Sequence, residues 1–143
     1  MPTMRSPGSG VQHRSDFSDE YVTVMDLAPT FLELANGTYP SDKTPMLGES
    51  AVAWLAGEAD VIHDESYVTT LMYNQRAYVR QGNWKLLTLE QPFDERDFAL
   101  YNLAEDPGET VDLALSNPRR FQELLQLWRD ERIRLGITLP QDL

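Results

Sequence analysis

A run of strand-like segments between residues 66 and 103 constrains the fold of this chain more than any other feature. Short segments rich in β-branched and aromatic residues follow one another there, at residues 66–73, 76–80, 84–89 and 98–103. The connection Gln81-Gly82-Asn83 suits a tight hairpin, because Gly and Asn tolerate positive φ. Strands joined by such short turns pair antiparallel. The run therefore predicts an antiparallel meander of about four strands.

Two connections that follow the first hairpin carry proline. Residues 91–97 are polar and contain Pro92, which predicts a long, exposed hairpin loop before the fourth strand. After that strand, Asp106-Pro107-Gly108-Glu109 fits a β-turn in which Pro presets φ at the second position and Gly is free to adopt positive φ at the third. This turn is predicted to end the sheet.

The segment after residue 23 has the apolar spacing of a helix. Its apolar residues recur three or four positions apart, at Val24, Leu27, Phe31 and Leu34. Asn36-Gly37 then gives a stop signal. With Asp26 as N-cap, Pro29 falls at the third helical position, where its missing N–H is harmless. With Thr23 as N-cap, Pro29 would kink the helix.

Two further helices are predicted, a short one over residues 49–56 that ends at Gly57 and a longer one near the C-terminal end. The longer helix has Asn117 as N-cap and Pro118 at its first position. Its apolar stripe consists of Phe121, Leu124, Leu125, Trp128 and Leu135. Two charged pairs are expected on its exposed face, Arg119 with Glu123 and Asp130 with Arg134. The helix should cover one face of the meander, with Trp84 as an anchor, in a two-layer α+β arrangement.

Length and composition limit the organisation and the partners. The 143 residues fit one domain, which we expect over residues 20–143, with residues 1–19 as an arm or loop. The net charge of −11 disfavours nucleic acid, because no basic face is available for phosphates. No apolar run is long enough for a membrane span, residues 1–10 lack the apolar core of a signal peptide, and no cysteine is present. The chain is expected to be soluble, and cytoplasmic by default.

Few side chains of the sequence suit catalysis or metal binding. His63 falls in a predicted acidic turn at residues 63–65, where an exposed polar residue is favoured over a ligand or a general base. The other imidazole, His13, falls in the predicted arm. Three cations gather around the first hairpin, Arg76, Arg80 and Lys85. They could offer positive charge to an anionic group, although pairing with acids and aromatic rings is favoured.

Several motifs follow one another along the chain. They are Arg-Ser-Pro-Gly at residues 5–8, Asp-Leu-Ala-Pro-Thr at 26–30, Leu-Gly-Glu-Ser at 47–50, Trp-Lys-Leu at 84–86, and Leu-Tyr-Asn-Leu with Asp-Pro-Gly-Glu at 100–109. In order and spacing they resemble the C-terminal region of the sulfatase family, bacterial-type arylsulfatases in particular, over nearly all of residues 5–128. The resemblance implies an alkaline-phosphatase-like sulfatase C-terminal subdomain, with an antiparallel sheet packed against a C-terminal helix and preceded by helical segments.

The resemblance implies no catalytic residue in this chain. Family enzymes hydrolyse sulfate esters with a formylglycine hydrate as nucleophile and a calcium ion held by Asp and Asn side chains, and those motifs lie upstream of everything matched here. Calcium and formylglycine are expected only in that catalytic region, so no catalytic, cofactor-binding or metal-binding residue is assigned. The run Ser116-Asn117-Pro118-Arg119-Arg120 has the Ser-x-Pro-x-Arg spacing of the formylglycine site. Arg119 stands where the family has a small residue, so a helix start is favoured.

Three functional hypotheses follow from the resemblance. The first is a C-terminal sulfatase fragment that is inactive alone, and the second is a stand-alone interaction module or a subunit that complements a separate catalytic half. The third, disfavoured, is an enzyme in which Ser116 is converted to an aldehyde. Because the chain is expected to begin near a strand of the family's central sheet, the helix after residue 23 would lack the surface it packs against. A homo-oligomer or a sulfatase catalytic half is therefore expected to cover its apolar stripe.

Overall fold

The computed structural model describes residue 18 and residues 20–139. Its contacts divide the chain into two compact units, unit 1 (Met1–Asp64) and unit 2 (Glu65–Leu143). The arm predicted over residues 1–19 lies outside the described residues, apart from residue 18. The single domain expected over residues 20–143 stays a prediction.

Unit 2 is built on a four-stranded antiparallel sheet, which confirms the predicted meander and the α+β fold. The strands are β1 (Val68–Tyr73), β2 (Arg76–Gln81), β3 (Trp84–Thr88) and β4 (Ala99–Asn102), and they lie side by side in chain order. β1 begins at Val68 rather than at residue 66. Gly82 connects β2 to β3 with a φ of 56°, the positive value that the hairpin requires.

One face of this sheet packs against helix α3 (Pro118–Arg134). The register places Val79, Leu86 and Leu100 next to one another, and all three are fully buried. The remaining buried members of the core are Ala77, Phe93, Phe98, Leu124, Leu125, Trp128 and Leu139. Trp84 packs against this core, and the Arg120 guanidinium of α3 lies 6.0 Å from its ring centroid. Four residues of the predicted α3 stripe, Phe121, Leu124, Leu125 and Trp128, therefore close the core with Trp84 beside them, whereas Leu135 lies past the end of α3 and outside this core.

The connection between β3 and β4 differs from the exposed loop that residues 91–97 predict. Phe93 is buried there, and its ring centroid lies 5.9 Å from that of Phe98 and 5.9 Å from that of Trp128. The polar residues of the loop form a short 3₁₀ turn, Glu95–Asp97. Burial of the Phe93 ring contributes more free energy than the neighbouring polar residues gain from full exposure to water. The loop therefore folds onto the core.

The turn after β4 is present but is built differently from the prediction. Glu109, not Gly108, adopts the positive φ, at 55°. The Asp106 carboxylate accepts hydrogen bonds from the N–H groups of Thr110 and Val111, at 2.6 and 2.9 Å. The Glu109 N–H also donates to the Asp106 carbonyl at 3.2 Å, so the chain reverses over the predicted residues 106–109 and differs from the prediction in which residue has the positive φ.

One of the two charged pairs predicted on α3 is present. The Arg119 Nε lies 3.0 Å from the Glu123 Oε1. The prediction of a pair between Asp130 and Arg134 is wrong, because Arg134 contacts Glu131 instead. Carboxylates three and four positions away are both within reach of an arginine on a helix, so spacing alone does not choose between them.

Unit 1 combines short helical elements with long connections. They are a 3₁₀ turn (Val24–Asp26), helix α1 (Leu27–Leu34) and helix α2 (Val52–Ala56). Both N-cap alternatives occur, since Thr23 precedes the 3₁₀ turn and Asp26 precedes α1, whose third residue is Pro29. After α1, Asn36 adopts a φ of 51° and the Gly37 N–H donates to the Leu32 carbonyl at 2.8 Å. The predicted stop is confirmed.

Candidate functional site

The carboxylate of Asp26, which is 1% exposed, accepts several hydrogen bonds within unit 1. Its Oδ2 accepts from the Thr23 N–H at 2.6 Å and from the Thr23 hydroxyl at 3.0 Å, and its Oδ1 accepts from the Glu49 N–H at 3.0 Å. The His63 Nε2 lies 3.0 Å from Oδ2. Burial raises the pKa of the Asp26 carboxyl, but the hydrogen bonds from Thr23, Glu49 and His63 outweigh it and hold that pKa below its usual value. The site therefore holds Asp26 as a carboxylate.

His63 is the second member of this cluster, and its side chain is only 4% exposed. Its Nε2 faces Asp26, its Nδ1 lies 3.2 Å from the Glu49 Oε2, and its ring centroid is 5.9 Å from that of Tyr21. The prediction of an exposed turn residue is wrong. Asp26 and Glu49 precede His63 by 37 and 14 residues, so the contacts are tertiary and leave no local pattern.

The loop before α2 is tied to α1 by side chains of that helix and its N-cap. The Thr30 hydroxyl donates to the Asp26 carbonyl at 2.6 Å and accepts from the Ala51 N–H at 2.9 Å. Gly48 lies so close to the 3₁₀ turn that a Cβ there would be 2.2 Å from the Met25 carbonyl oxygen. α2 begins at Val52 and not at residue 49, and side chains accept the N–H groups of Glu49 and Ala51 in the loop before it. We name Asp26, Glu49 and His63, with Thr23 and Thr30, the His63 cluster.

The other side of α1 is apolar and exposed. Its exposed fractions are 80% for Val24, 46% for Leu27, 62% for Phe31 and 52% for Leu34. We name these four residues the α1 face. A helix of a globular domain ordinarily buries its apolar stripe, whereas this segment buries Asp26 and Thr30 instead. An exposed patch of large apolar side chains is typical of an interaction surface.

The cations around the first hairpin of unit 2 have partners within the unit. The Lys85 Nζ lies 2.6 Å from the Glu109 Oε1 and 5.3 Å from the Tyr78 ring centroid. The Arg80 Nε donates to the Gly82 carbonyl, and the Arg76 Nε donates to the Leu89 carbonyl. Lys85 thus pairs with an acid and an aromatic ring, as expected.

Of the two remaining candidate residues, Ser116 lies just before α3. Ser116 is exposed, and its hydroxyl donates to the Leu113 carbonyl at 3.1 Å. It directly precedes the N-cap Asn117 and Pro118 at the first position of α3, so the predicted helix start is confirmed. His13 lies outside the described residues.

Over residues 20–139, no three or more His, Asp or Glu side chains lie together in a group that could hold a metal ion. Nor does any helix within the same residues have the length and apolar character needed to cross a bilayer.

Comparisons with known proteins agree on one family. The sequence model of N-sulphoglucosamine sulphohydrolase, C-terminal, matches residues 2–132. An uncharacterized sulfatase of Schizosaccharomyces pombe is 32% identical over 132 residues, which cover 87% of this chain and 24% of the relative. The chain therefore spans about a quarter of the length of that relative.

Solved structures give the same result for the fold. A 6S-sulfatase structure described under metabolism of multiple glycosaminoglycans by Bacteroides thetaiotaomicron superposes with a TM-score of 0.56 at 22% identity, over 76% of this chain and 24% of that one. A protein in complex with its substrate D-glucosamine-2-N,6-O-disulfate gives a TM-score of 0.55 at 23% identity, over 75% and 23%. At these identities the likeness shows a shared fold.

Proposed function

The chain belongs to the family of N-sulphoglucosamine sulphohydrolase C-terminal domains, and from that premise we propose that it is the C-terminal part of a sulfatase and hydrolyses no sulfate ester alone. The observation that carries this proposal is the α1 face. Its four side chains are half to four-fifths exposed, while the polar side of the same segment is fastened within unit 1. The relatives have about three quarters of their length outside the matched segment, and a surface of that region is the natural occupant of the α1 face.

The energetics of the α1 face support an interface. Full burial of a Val, Leu or Phe side chain contributes about 1.5–3 kcal/mol, so covering four partly exposed ones contributes several kcal/mol at most. That gain is available without disturbing the His63 cluster, because the cluster occupies the opposite side of the segment. The catalytic region would bind a helix that unit 1 already holds in place, and binding would bury the exposed α1 face.

The substrate of the complete enzyme is proposed from the relatives. The matched family is named for N-sulphoglucosamine, and one solved neighbour holds D-glucosamine-2-N,6-O-disulfate as its substrate. We therefore take sulfated glucosamine as the first substrate to assay, with an aryl sulfate beside it as a general probe of sulfate-ester hydrolysis.

A subunit that completes a separate catalytic half is the second candidate. It is favoured by the way unit 1 holds α1 in place, since the Asp26 and Thr30 bonds to the loop before α2 need no other polypeptide. The catalytic region could then reside on its own chain and still find a preformed α1 face. A second copy of this chain on the same face is the remaining alternative.

Antibody capture from the source cells tests the proposal. An antibody against this chain should capture sulfatase activity together with a polypeptide much larger than 16.3 kDa, or with a second polypeptide in fixed ratio. The purified 143-residue chain should release no more sulfate than the same chain after boiling. Hydrolysis above that control by the purified chain, with Ser116 converted to an aldehyde in its mass spectrum, would instead establish the third hypothesis.

A further inference from the structure

The outer face of the sheet in unit 2, which points away from α3, carries a row of apolar and aromatic side chains. The register aligns one residue from each strand across this face, namely Leu71, Tyr78, Leu87 and Ala99. We name these four residues the outer row. Leu71 is 53% exposed, and Tyr73, on the same side of β1, is 77% exposed. The outer row therefore forms a continuous strip across all four strands.

This strip departs from the pattern of a sheet that has one face in water. Such a sheet alternates apolar residues toward the core with polar residues toward the solvent. Here each strand has two adjacent apolar or aromatic residues at this level of the sheet, one facing the core and one facing outward. They are Leu71-Met72, Tyr78-Val79, Leu86-Leu87 and Ala99-Leu100. Strands with apolar side chains on both faces are typical of a sheet that is covered on both sides.

The cations beside the outer row already have partners within unit 2. In the next row on the same face, the Lys85 Nζ lies 2.6 Å from the Glu109 Oε1 and 5.3 Å from the Tyr78 ring centroid. The Arg80 Nε donates to a backbone carbonyl of the turn between β2 and β3, at 2.9 Å. Because these cations are paired, the chemistry of the outer face favours an apolar protein surface over an anionic ligand.

The size of the outer face distinguishes a second copy of this chain from a linked partner. Four strands about 4.8 Å apart and about five residues long span roughly 19 Å by 17 Å, or about 300 Å². A stable interface between separate proteins buries about 800 Å² on each partner. The outer face alone is thus too small for a dimer. A region of the same polypeptide needs less area, because a short linker gives an effective concentration on the order of millimolar.

We propose that the outer row docks on an apolar surface of the sulfatase catalytic region, which covers the sheet on the side opposite α3. This inference rests on the proposed function, since the relative that this chain matches has about three quarters of its length outside the matched segment. The outer row is then a docking surface in unit 2, in addition to the α1 face in unit 1, so each unit has its own contact with the catalytic region.

Hydroxyl-radical footprinting read by mass spectrometry tests the docking without any substitution. It compares the isolated 143-residue chain with the complete sulfatase recovered by antibody capture. Leu71 and Tyr73 should be oxidised in the isolated chain and severalfold more slowly in the complete protein. Leu115, which is 97% exposed, is the internal reference against which both rates are measured. Phe31 reports on the α1 face in the same two samples.

A charge in the outer row gives a second measurement. Leu71→Arg should lower the recovered sulfatase activity severalfold, because docking would bury the guanidinium against an apolar surface. Leu115→Arg is the matched control and should leave that activity unchanged. Urea unfolding of the isolated Leu71→Arg chain separates lost docking from misfolding. The footprint stands by itself if this variant does not fold.

Three results would overturn the docking. One is oxidation of Leu71 and Tyr73 at equal rates in the two proteins, relative to Leu115; protection of Phe31 in the same sample would show that the proposed function still stands. Another is slow oxidation of Leu71 already in the isolated chain, which would mean that the chain itself or a second copy covers the outer row. The last is capture of the 16.3 kDa chain alone without sulfatase activity, which would reject the proposed function as well.

Discussion

The two units of this protein bury opposite kinds of side chain. In unit 2 most of the buried side chains are apolar, with Trp128, Leu86 and Leu100 fully enclosed between sheet and helix. In the described part of unit 1, the buried residues are Asp26, Thr30 and Ala51, while the α1 face stays exposed. Apolar burial stabilises a fold by itself, but a buried carboxylate is tolerated only while its hydrogen bonds are intact. Unit 2 therefore has an apolar core of its own, whereas the described part of unit 1 relies on the His63 cluster and exposes the α1 face.

The largest expected effect lies in the core of unit 2. Trp128→Ala should lower the free energy of unfolding by about 3–5 kcal/mol, because it empties the space between β-sheet and α3. Trp128→Phe should cost clearly less, since the indole Nε1–H is buried without a hydrogen-bond partner and its loss is no penalty. Urea unfolding monitored by circular dichroism measures both. Leu115→Ala, at a side chain that is 97% exposed, is the control and should stay within about 0.5 kcal/mol.

The corresponding change in unit 1 is smaller and local. Asp26→Asn removes the charge that the N–H groups of Thr23 and Glu49 and the ring of His63 point to. Charge-assisted hydrogen bonds contribute about 1.5–3 kcal/mol each, and neighbours compensate in part, so we expect about 2–3 kcal/mol for local opening. Hydrogen exchange at the Glu49 N–H measures it. The exposed Asp60→Asn is the matched control; equal protection in the two variants would contradict a structural role for Asp26.

The same comparison explains which parts of the fold sequence patterns predict. The sheet follows from local signals, because each strand carries its own β-branched and aromatic residues and Gly82 sets the hairpin. The start of α3 likewise needs only the adjacent Asn117 and Pro118. The larger errors arise where a distant partner decides the outcome, as with Phe93, which lies in a polar loop of the sequence but packs against the rings of Phe98 and Trp128.

The His63 cluster is the extreme case of such a distant dependence. In the sequence His63 is followed by two acids and has the character of a solvated turn. Its actual neighbours, Asp26 and Glu49, come from an N-terminal turn and from a loop before a different helix. No periodicity links three such positions. The apolar spacing of the α1 face, by contrast, can be recognised from the sequence, because helical periodicity is a local pattern that does not depend on whether another surface covers the helix.

Acid should weaken unit 1 through Asp26. Because the folded-state pKa of Asp26 is lowered, its ionised form contributes stability that is fully present above the ordinary Asp value of 3.8 and is lost as the pH falls through the lowered pKa. Protection of the Thr23 and Glu49 N–H groups should therefore decline below that pH in the native chain. It should be flat in Asp26→Asn. The same decline in both chains would mean that another group carries the acid response.

The smallest expected effect on stability, and the most informative one for function, is at the α1 face. Phe31→Ser should change the free energy of unfolding of the chain by no more than about 0.5 kcal/mol, because that side chain is 62% exposed, whereas Phe98→Ser, at 4%, should cost several times more. Urea unfolding compares the two. If the α1 face packs against the catalytic region as proposed, Phe31→Ser should lower the sulfatase activity of the complete protein, although the stability of the isolated chain stays the same. A large destabilisation of the isolated chain by Phe31→Ser would show that the ring is packed within it, and the contrast between the apolar core of unit 2 and the exposed α1 face of unit 1 would then fail.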